Sequence, residues 1–383
     1  MKIRSCHHAM VRVPFRETIE WGSGTRIGTT RLVCKIETDT GIIGWGETLC
    51  LIDAVPAVFE KIVAPMAIGY DISQVERFWR NVQGAGYYHH KRAAVMAAAA
   101  MEMAMWDALG KHARLPVSAF WGGAYRTRIE AAAYLFSRDP AQLRDRLQGF
   151  LDAGYTTFKV KIGFDAASDI TLAETARKVI GPHDLRLDVN GAWTPGTAKR
   201  QLRKLAPLDP AYVEQPLELD DLAGTAALRA WSPVPIALDE SAYTLADAGN
   251  ILRAQAADVL LLDPHQAGGL WQARKAAGVA ESAGLPVGLH SGAELGPSQA
   301  AYLHLAAATP NAAIAIDTES AYLSDDISPD APAIRDGAFA LPEGPGLGVS
   351  VDEEALERYR VPDIRGAYLN PARPGWFPEK PAY

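Results

Sequence analysis

The chain has 383 residues, of which 48% are hydrophobic and 22% charged, so it should bury a sizeable core and is neither disordered nor collagen-like. At this length one large α/β barrel or two domains are expected. Its net charge of −7 argues against a nucleic-acid or anionic-membrane partner. The amino terminus has no signal-peptide pattern, and the longest apolar tract, Ala93 to Met101, is shorter than the roughly 20 residues that span a bilayer, which predicts a cytoplasmic protein.

Residues 1–125 have the pattern of a small α+β domain. Arg31 to Thr38 and Ile42 to Trp45 are rich in strand-forming residues and flank the turn Asp39-Thr40-Gly41, which predicts an antiparallel hairpin. Helical periodicity follows over Val55 to Trp79 and over Arg92 to Lys111. The second stretch is so rich in alanine and methionine that it should be buried on most sides.

From residue 126 onward, short apolar runs alternate with amphipathic stretches, which is typical of parallel βα units. The eight runs are Ala131–Phe136, Phe158–Ile162, Leu185–Asn190, Ala211–Glu214, Ile236–Glu240, Val259–Asp263, Val287–His290 and Ala313–Asp317. Polar residues near the ends of these runs recur every 24 to 29 residues, the length of one strand, loop and helix. This spacing predicts a TIM-like barrel over residues 126–329, with those polar side chains at the mouth formed by the carboxyl ends of the strands. Residues 330–383 contain no further βα unit and are expected to pack back on the amino-terminal segment and complete that domain.

Three carboxylates, Asp188, Glu214 and Asp239, end consecutive predicted strands. Oxygen ligands without a neighbouring cysteine suit a hard divalent cation, Mg²⁺ before Mn²⁺. Glu240 is an alternative third ligand, because strand alternation turns only one of the two adjacent acids into the barrel. Asp239 is the preferred candidate.

Two lysines, Lys159 and Lys161, flank one residue of a single strand, so both side chains point to the same face. Because helices cover the outside of a barrel, that face is expected to be the interior. Two close ammonium groups lower the pKa of each other, which moves a lysine toward service as a general base near neutral pH.

Asp263 and His290 end neighbouring strands, and a carboxylate beside an imidazole fixes its tautomer and raises its basicity. The register predicts that His290 lies across the barrel from Lys161. His265 ranks second as a candidate because it falls in the loop after Asp263.

These residues together carry a resemblance to a known family. The ordered set is Lys159-Val160-Lys161, Asp188-Val189-Asn190, Glu214-Gln215-Pro216, Leu238-Asp239-Glu240-Ser241, Asp263 and His290. It resembles the mandelate racemase-like branch of the enolase superfamily, and Gly44-Trp45-Gly46-Glu47 with the helix from Ala98 to Trp106 resembles the capping domain of that superfamily. The resemblance implies a modified (β/α)7β barrel with an α+β capping domain, Mg²⁺ binding and abstraction of the proton α to a carboxylate.

The resemblance also implies roles for individual side chains. Lys161 would be the base on one face of the substrate, and His290, supported by Asp263, the acid or base on the other. Lys159 would hold the substrate carboxylate and lower the pKa of Lys161.

Further residues are candidates for contact with the substrate. By resemblance, Glu319 would donate a hydrogen bond to the enolate, with Asp317 as a rival, and Asn190 would line the metal or substrate site. The capping loops should set the substrate, and Trp21 and Arg26 are their candidate contacts.

Two outcomes follow from acid–base groups on both faces. A hydroxyl on the β-carbon allows dehydration to a 2-keto acid, and without a leaving group reprotonation on the far face inverts the centre. Dehydration of a sugar acid or related 2-hydroxy carboxylate is favoured; a racemase, epimerase or cycloisomerase is the alternative. Asp263 stands where the muconate-lactonizing branch has a second lysine, which argues against a reaction that uses two lysines.

Other classes of protein rank lower. A metal-dependent hydrolase would be expected to offer histidine ligands to Zn²⁺, and a non-catalytic acid-binding barrel has no need of Lys161 and His290 on opposite faces. The expected partner is a small carboxylate, and a homo-oligomer is expected because barrels of this kind often associate.

Overall fold

The computed structural model describes residues 1–22, 24–51, 53–85, 87–362, 364 and 379–383. It has a three-stranded antiparallel sheet at the amino-terminal end and a separate sheet whose strands pair mostly in parallel. The predicted fold, a TIM-like barrel with an α+β cap, is confirmed.

The cap begins with an antiparallel meander of β1 (Ile3–Trp21), β2 (Gly24–Thr38) and β3 (Ile43–Leu49). The predicted hairpin is the β2–β3 connection, where Gly41 takes a φ of +80° that an L side chain rarely adopts. Four helices follow: α1 (Ala54–Val58), α2 (Ala64–Ala67), α3 (Val75–Gly84) and α4 (Lys91–Ala113). A π-helical turn over Phe59–Val63 joins α1 to α2. The predicted continuous helical stretch is thus interrupted before α3, where Gly69 takes a φ of +78°.

Helix α4 forms the centre of the cap and packs against β3. A Cβ on Gly44 or Gly46 would lie 2.1 or 2.0 Å from a carbonyl oxygen of α4, so both positions need glycine for this close approach. By length and composition α4 could cross a membrane, but 89% of its apolar window is buried inside the molecule. Such burial is typical of a core helix.

The barrel strands are β4 (Arg128–Leu135), β5 (Thr157–Lys161), β6 (Asp184–Asp188), β7 (Tyr212–Glu214), β8 (Ile236–Leu238), β9 (Val259–Leu262), β10 (Val287–Leu289) and β11 (Ile316–Asp317). Strands β4 to β10 pair in chain order and in parallel. Strand β11 pairs with β4 and lies against β10, which closes the ring. Several strands end earlier than predicted, so Asn190, Asp239 and Glu240 belong to the loops that follow β6 and β8.

Helices surround the strands on the outside. They are α5 (Pro140–Asp152), α6 (Ala166–Ile180), α7 (Pro195–Leu205), α8 (Leu222–Trp231), α9 (Leu245–Ala254), the short α10 (Pro264–Ala267), α11 (Leu270–Ser282) and α12 (Gly296–Ala308). Short 3₁₀ turns occupy Val117–Trp121, Ala206–Leu208 and Ser320–Tyr322. Seven βα units and a final strand make up the (β/α)7β barrel.

The residues after the barrel contact both parts of the molecule. The hairpin β12 (Ile334–Arg335) and β13 (Ala338–Ala340) pairs with β4, whereas α13 (Glu353–Arg358) lies near β1. Residues 380–383 lie on loops at the barrel mouth. Within the segment predicted to complete the cap, residues 363 and 365–378 lie outside the described residues.

A buried ion pair joins the cap to the barrel. Arg31 of β2 and Glu47 of β3 are fully buried, with Nε and Oε1 2.5 Å apart. Glu47 also accepts backbone hydrogen bonds from Leu295 and Ser298 at the start of α12, at 3.1 and 3.3 Å. Arg31 donates to the carbonyl of Gly292 at 3.2 Å. The loop after β10 is therefore held by cap side chains.

A second buried contact joins α4 to α11. The Glu102 carboxylate accepts the backbone N–H groups of Leu270 and Trp271, each at 2.9 Å, and the indole N–H of Trp106 at 2.7 Å. The first turn of a helix has unsatisfied N–H groups and a partial positive charge, so a carboxylate there is favourable.

Candidate active site

A cavity of about 410 Å³ lies at the barrel mouth between the strand ends and the cap. Its lining includes most of the side chains that the sequence singled out: Trp21, Arg26, Lys161, Asn190, Asp239, Glu240, His290 and Glu319. Lys159, Asp188, Glu214 and Asp263 are buried beside it and do not line it. The strand-end register thus brings the predicted residues into one region.

The two lysines of β5 occupy different depths. Lys161 reaches the cavity and donates to Asp188 Oδ2 at 2.5 Å and to Asn190 Oδ1 at 2.9 Å. Lys159 is fully buried and donates to Glu214 Oε1 at 2.7 Å and Asp317 Oδ2 at 2.6 Å. Burial alone would lower the pKa of Lys159, but these carboxylates raise it well above its usual value.

The role expected for Lys159, to hold the substrate carboxylate, stays a prediction. In the structure its ammonium group pairs with the buried carboxylates of Asp188, Glu214 and Asp317 and is not among the described lining residues of the cavity.

The three predicted metal ligands follow adjacent strands. Asp188 and Glu214 are register partners at the ends of β6 and β7, and Asp239 follows β8. Among the described residues, however, the ligand atoms that lie within 4.8 Å of one another belong to Glu214, His290 and Asp317. Of the predicted set, Asp188 and Glu214 lie side by side and share Lys159 as an ion-pair partner, whereas Asp239 lies against His290.

The charge of this cluster suits a divalent cation. Burial, followed by the Asp188 charge, raises the pKa of Glu214 well above its usual value, and Glu214 Oε2 is buried without a hydrogen-bond partner among the described residues. Although burial opposes it, Lys161 and Lys159 hold the pKa of Asp188 below its usual range. A buried carboxylate oxygen without a hydrogen-bond donor among the described residues, in a cluster that is mainly carboxylate, fits a hard ion such as Mg²⁺.

The neighbouring acids of the β8 loop differ in their contacts. Asp239 is 3% exposed and faces the His290 ring. Glu240 accepts the Asn190 amide N–H at 2.8 Å, and burial raises the pKa of Glu240 to about 7. Both line the cavity, but Glu240 is already engaged with a loop side chain.

The partner of His290 differs from the predicted one. Its Nδ1 lies 2.9 Å from Asp239 Oδ2, within ion-pair distance, although Nδ1 lacks an aligned hydrogen bond to any described residue. Burial alone would lower the pKa of His290, but Asp239, and Asp263 through its charge, raise it to about 10. The carboxylate at ion-pair distance from His290 is thus Asp239 rather than Asp263, whose charge still acts on the ring.

Asp263 is held by other groups. It accepts hydrogen bonds from the Tyr302 hydroxyl, from the backbone N–H of His265 at 2.8 Å and from the Gln266 amide at 2.8 Å. Its Oδ1 also lies 3.1 Å from His265 Nδ1, so the contacts of this carboxylate are with His265, Gln266 and Tyr302. His265 is 1% exposed and contacts Tyr302 and Arg31, so it lies in the cap–barrel interface rather than in the cavity.

Glu319 and Arg26, which were predicted separately, form one unit at the cavity wall. Arg26 Nη2 donates to both carboxylate oxygens of Glu319, at 2.9 and 2.6 Å. The Arg26 guanidinium also lies 5.6 Å from the centre of the Trp21 ring. Burial raises the pKa of Glu319 despite this arginine. Its rival Asp317 points away, toward Lys159 and Arg186.

Strained backbone accompanies the site. Asn190, Gln215 and Ala293 have φ values of 49°, 38° and 61°, a region that residues other than glycine rarely adopt. Each follows a barrel strand, after β6, β7 and β10 respectively. Such strain persists only where the surroundings impose it, and it is frequent at active sites.

Some members of the site were not found from the sequence. Tyr134 of β4 donates to Asp188 Oδ2 at 3.3 Å, and its ring lies 4.7 Å from Lys159 Nζ and 5.1 Å from Lys161 Nζ. Its place near the end of the first barrel strand was the available signal. Lys380, which also lines the cavity, is remote in sequence from every barrel strand and had no such signal.

Comparison with known proteins gives matches along nearly the whole chain. Residues 5–122 match the family model described as mandelate racemase / muconate lactonizing enzyme, N-terminal domain, and residues 142–355 match the one described as enolase C-terminal domain-like. The arabinonate dehydratase of Saccharolobus solfataricus is 30% identical over 334 residues, which cover 85% of this chain and 89% of that protein. The N-succinyl-L-Arg/Lys racemase of Bacillus cereus is 27% identical, over 94% of this chain and 98% of that protein.

The solved structures agree with these matches. The muconate lactonizing enzyme of Pseudomonas fluorescens, complexed with muconolactone, superposes with a TM-score of 0.87 at 30% identity and covers 94% of this chain and 99% of that one. The resemblance read from the sequence is confirmed. All three relatives are named as enzymes, but for three different reactions.

Proposed function

Because the chain belongs to the mandelate racemase/muconate lactonizing enzyme family of the enolase superfamily, we propose that it removes the proton α to a carboxylate and dehydrates a sugar acid or related 2-hydroxy carboxylate to a 2-keto acid. The observation that carries this proposal is the placement of Lys161 and His290. They line one cavity from β5 and from the loop after β10, on different sides of the ring, with the carboxylate cluster beside them.

The metal site belongs to the proposal. Asp188, Glu214 and Asp239 would hold Mg²⁺, or Mn²⁺ in its place, because their oxygens match its preference and Glu214 has a buried oxygen with no hydrogen-bond partner in the described part of the chain. When bound, the ion would stabilise the second negative charge that develops on the substrate carboxylate after proton removal.

The proton transfers fall to side chains of this chain. Lys161 Nζ, as the free amine, takes the proton from the α-carbon, and the electron pair of that C–H bond moves toward the carboxylate. His290, in its protonated form, gives a proton to the hydroxyl on the β-carbon as the C–O bond breaks, so water leaves. The resulting enol becomes the 2-keto acid. Asn190 orients Lys161 through the hydrogen bond at 2.9 Å.

Glu319, Arg26 and Trp21 would form the wall against which the substrate lies. The paired Arg26 and Glu319 offer N–H donors and carboxylate acceptors to hydroxyl groups, as a polyhydroxylated acid requires. The kinship with an arabinonate dehydratase also supports a sugar acid.

A racemase or epimerase is the second candidate. Acid–base groups on two sides of one cavity also permit reprotonation on the far face, and one relative is named as a racemase. The two reactions differ in the atoms lost: only dehydration changes the mass of the acid.

The test is incubation of the Mg²⁺-loaded protein with sugar acids and other 2-substituted carboxylates in D₂O. Loss of water detected by mass spectrometry supports dehydration, and α-deuteration with inversion supports a racemase. Lys161→Ala should abolish both. His290→Asn should slow water loss by about 10² to 10⁴-fold, the usual contribution of an acid–base group. If no acid loses water and no acid is deuterated at the α-carbon, the proposed chemistry is contradicted.

A further inference from the structure

Residues 380–383, hereafter the tail, are docked on loops of the barrel mouth. Tyr383 exchanges backbone hydrogen bonds with the loop after β6: its carbonyl accepts from Thr194 at 2.7 Å and its N–H donates to Ala192 at 3.1 Å. Its hydroxyl donates to Asp169 and accepts the Trp193 indole N–H at 3.2 Å. The tail is therefore attached by both backbone and side-chain contacts.

The anchor of the tail is itself part of the barrel mouth. Asp169 is fully buried and also accepts the backbone N–H groups of Gly163 and Phe164, at 2.8 and 3.0 Å, in the loop after β5. Gly22 of the cap meets both parts, since a Cβ on it would lie 2.5 Å from the Gly163 carbonyl oxygen and 3.5 Å from Pro381. Tail, cap and barrel thus meet at one edge of the cavity.

Lys380 projects from this tail to the cavity. It lines the cavity together with Gly191 and Leu219, which follow β6 and β7. Gly191 lies directly beside the ammonium group, since a Cβ built on it would make an ordinary contact, 3.4 Å, with Lys380 Nζ. The neighbouring Asn190 contacts Lys161, so Lys380 and the proposed base lie on the same side of the cavity.

Among the described lining residues, four are basic, and Lys380 has the partner that is easiest to displace. Lys161 pairs with buried Asp188, His290 with buried Asp239, and Arg26 with buried Glu319. Lys380 pairs with Glu218, and these two side chains are 41% and 54% exposed.

Exposed ion pairs contribute little to stability, so a substrate oxyanion can replace Glu218 at little cost. The ion pair with Glu218 also shows that the Lys380 ammonium group can bind a carboxylate.

We propose that Lys380 is a specificity-determining residue that binds a second carboxylate, at the end of the substrate remote from the reacting carbon. Tyr383 is then a positioning residue that holds the tail on Asp169. This inference rests on the proposed function, because it names the class of sugar acid as a diacid. In this proposal the tail forms part of the wall of the substrate site, in addition to the capping loops.

The experiment compares acids that differ only at the distal carbon, D-glucarate with D-gluconate and galactarate with D-galactonate. Dissociation constants are measured by calorimetry on the Mg²⁺-loaded full chain in a Lys161→Ala background, in which turnover is expected to be abolished. KM and kcat are measured for water loss in the parent chain. The variants are Lys380→Met, Tyr383→Phe and, as the matched control, Lys178→Met, which changes an exposed lysine on α6.

Lys380→Met should raise the Kd and KM for a diacid by about tenfold or more, as expected for loss of one charge-assisted hydrogen bond, and leave the paired monoacid within about twofold. The kcat for the diacid should change less than its KM. Tyr383→Phe should raise the ratio of the diacid Kd and KM to those of the paired monoacid, as Lys380→Met does. Lys178→Met should leave this ratio unchanged.

The inference is overturned if the parent chain does not prefer the diacid of either pair, or if Lys380→Met changes diacid and monoacid equally. Loss of water from a diacid whose Kd and KM are unchanged by Lys380→Met would leave the proposed function standing while the inference fails. Diacid binding that depends on Lys380, without water loss or α-deuteration for any acid, would support the assignment of Lys380 and contradict the proposed function.

Discussion

Asp239 and Glu240, adjacent acids after β8, have different contacts because their side chains point in different directions. Asp239 lies against His290, and its charge contributes to the raised pKa of Glu214. Glu240 instead accepts a hydrogen bond from Asn190. We therefore propose Asp239, rather than Glu240, as the third ligand of a cation beside Glu214.

We expect Asp239→Asn to weaken Mg²⁺ binding by at least about tenfold, since loss of even an outer partner of a ligand costs about 10 to 100-fold. Glu240→Gln should have a smaller effect, because the amide oxygen keeps the contact with Asn190. Calorimetric titration with Mg²⁺ measures both. The reverse order of the two effects would assign the third ligand to Glu240.

The residues that end the strands could be predicted from the sequence, but their partners could not. Spacing along the chain identified Lys161, Asp188, Glu214 and His290, because parallel strands present their ends at one face. Which carboxylate meets which cation depends on side-chain direction and on neighbours from distant elements. Tyr302 of α12, which donates a hydrogen bond to Asp263, is such a neighbour.

At the scale of elements, the cap and barrel are joined through charges that have no access to water. Arg31 and Glu47 are both fully buried, and Glu47 also receives backbone N–H groups at the start of α12. Removal of one partner of such a pair leaves the other charge uncompensated.

Glu47→Gln should lower the free energy of unfolding by about 3 to 5 kcal/mol, the usual cost of breaking a buried pair. Urea denaturation followed by circular dichroism measures the change. Glu353→Gln is the matched control: it breaks the ion pair between Lys35 and an exposed glutamate and should cost less than about 1 kcal/mol. Similar losses for the two variants would contradict this account.

Glu102, which links α4 to α11, makes the stability of the protein depend on pH. Burial raises the pKa of Glu102 to about 7 in the folded chain. A raised pKa means that its contribution to stability is fully present below its ordinary pKa of about 4.5 and is lost as pH rises through about 7.

Relative to Glu102→Gln, the parent chain should therefore lose about 1 kcal/mol of unfolding free energy between pH 6 and pH 8. Urea unfolding of both chains at each pH gives this difference, in which other titrating groups cancel. A difference that does not change with pH would show that Glu102 keeps one protonation state throughout.

Element boundaries followed the sequence unevenly. Helix α4 lies close to its predicted bounds because its composition is strongly apolar, whereas the stretch from Val55 to Trp79 contains a π-helical turn and a break at Gly69. Hydrophobic periodicity identifies the buried face of a helix, but it does not reveal where the backbone hydrogen bonds change from an α-helical to a π-helical pattern.

For the whole molecule, a cation bound to the folded barrel alone should stabilise it by mass action. Mg²⁺ at about 100 times its Kd should add about 2.7 kcal/mol to the free energy of unfolding. Denaturant unfolding with and without Mg²⁺ tests this, with Asp188→Asn as the variant in which the gain should disappear. An equal gain in both chains would place the bound ion elsewhere.

The architecture as a whole was predictable because βα units repeat at a regular interval, whereas the docking of the tail was not. Tyr383 contacts Asp169, 214 residues away along the chain, and Lys380 contacts Glu218, 162 residues away. No local pattern encodes a contact of that separation, so only the folded chain reveals that its last residues border the cavity.

The ring of strands closes at its shortest member. Strand β11 has two residues and pairs with β4, while Asp317 on it receives Lys159 from β5 and Arg186 from β6. Ionic contacts across the interior thus supplement a backbone ladder of minimal length. Lys159 also contacts Glu214. Local opening of the barrel between β11 and β4 would therefore separate Lys159, Glu214 and Asp317 in the same event. The closed ring and the capacity for chemistry would be lost together.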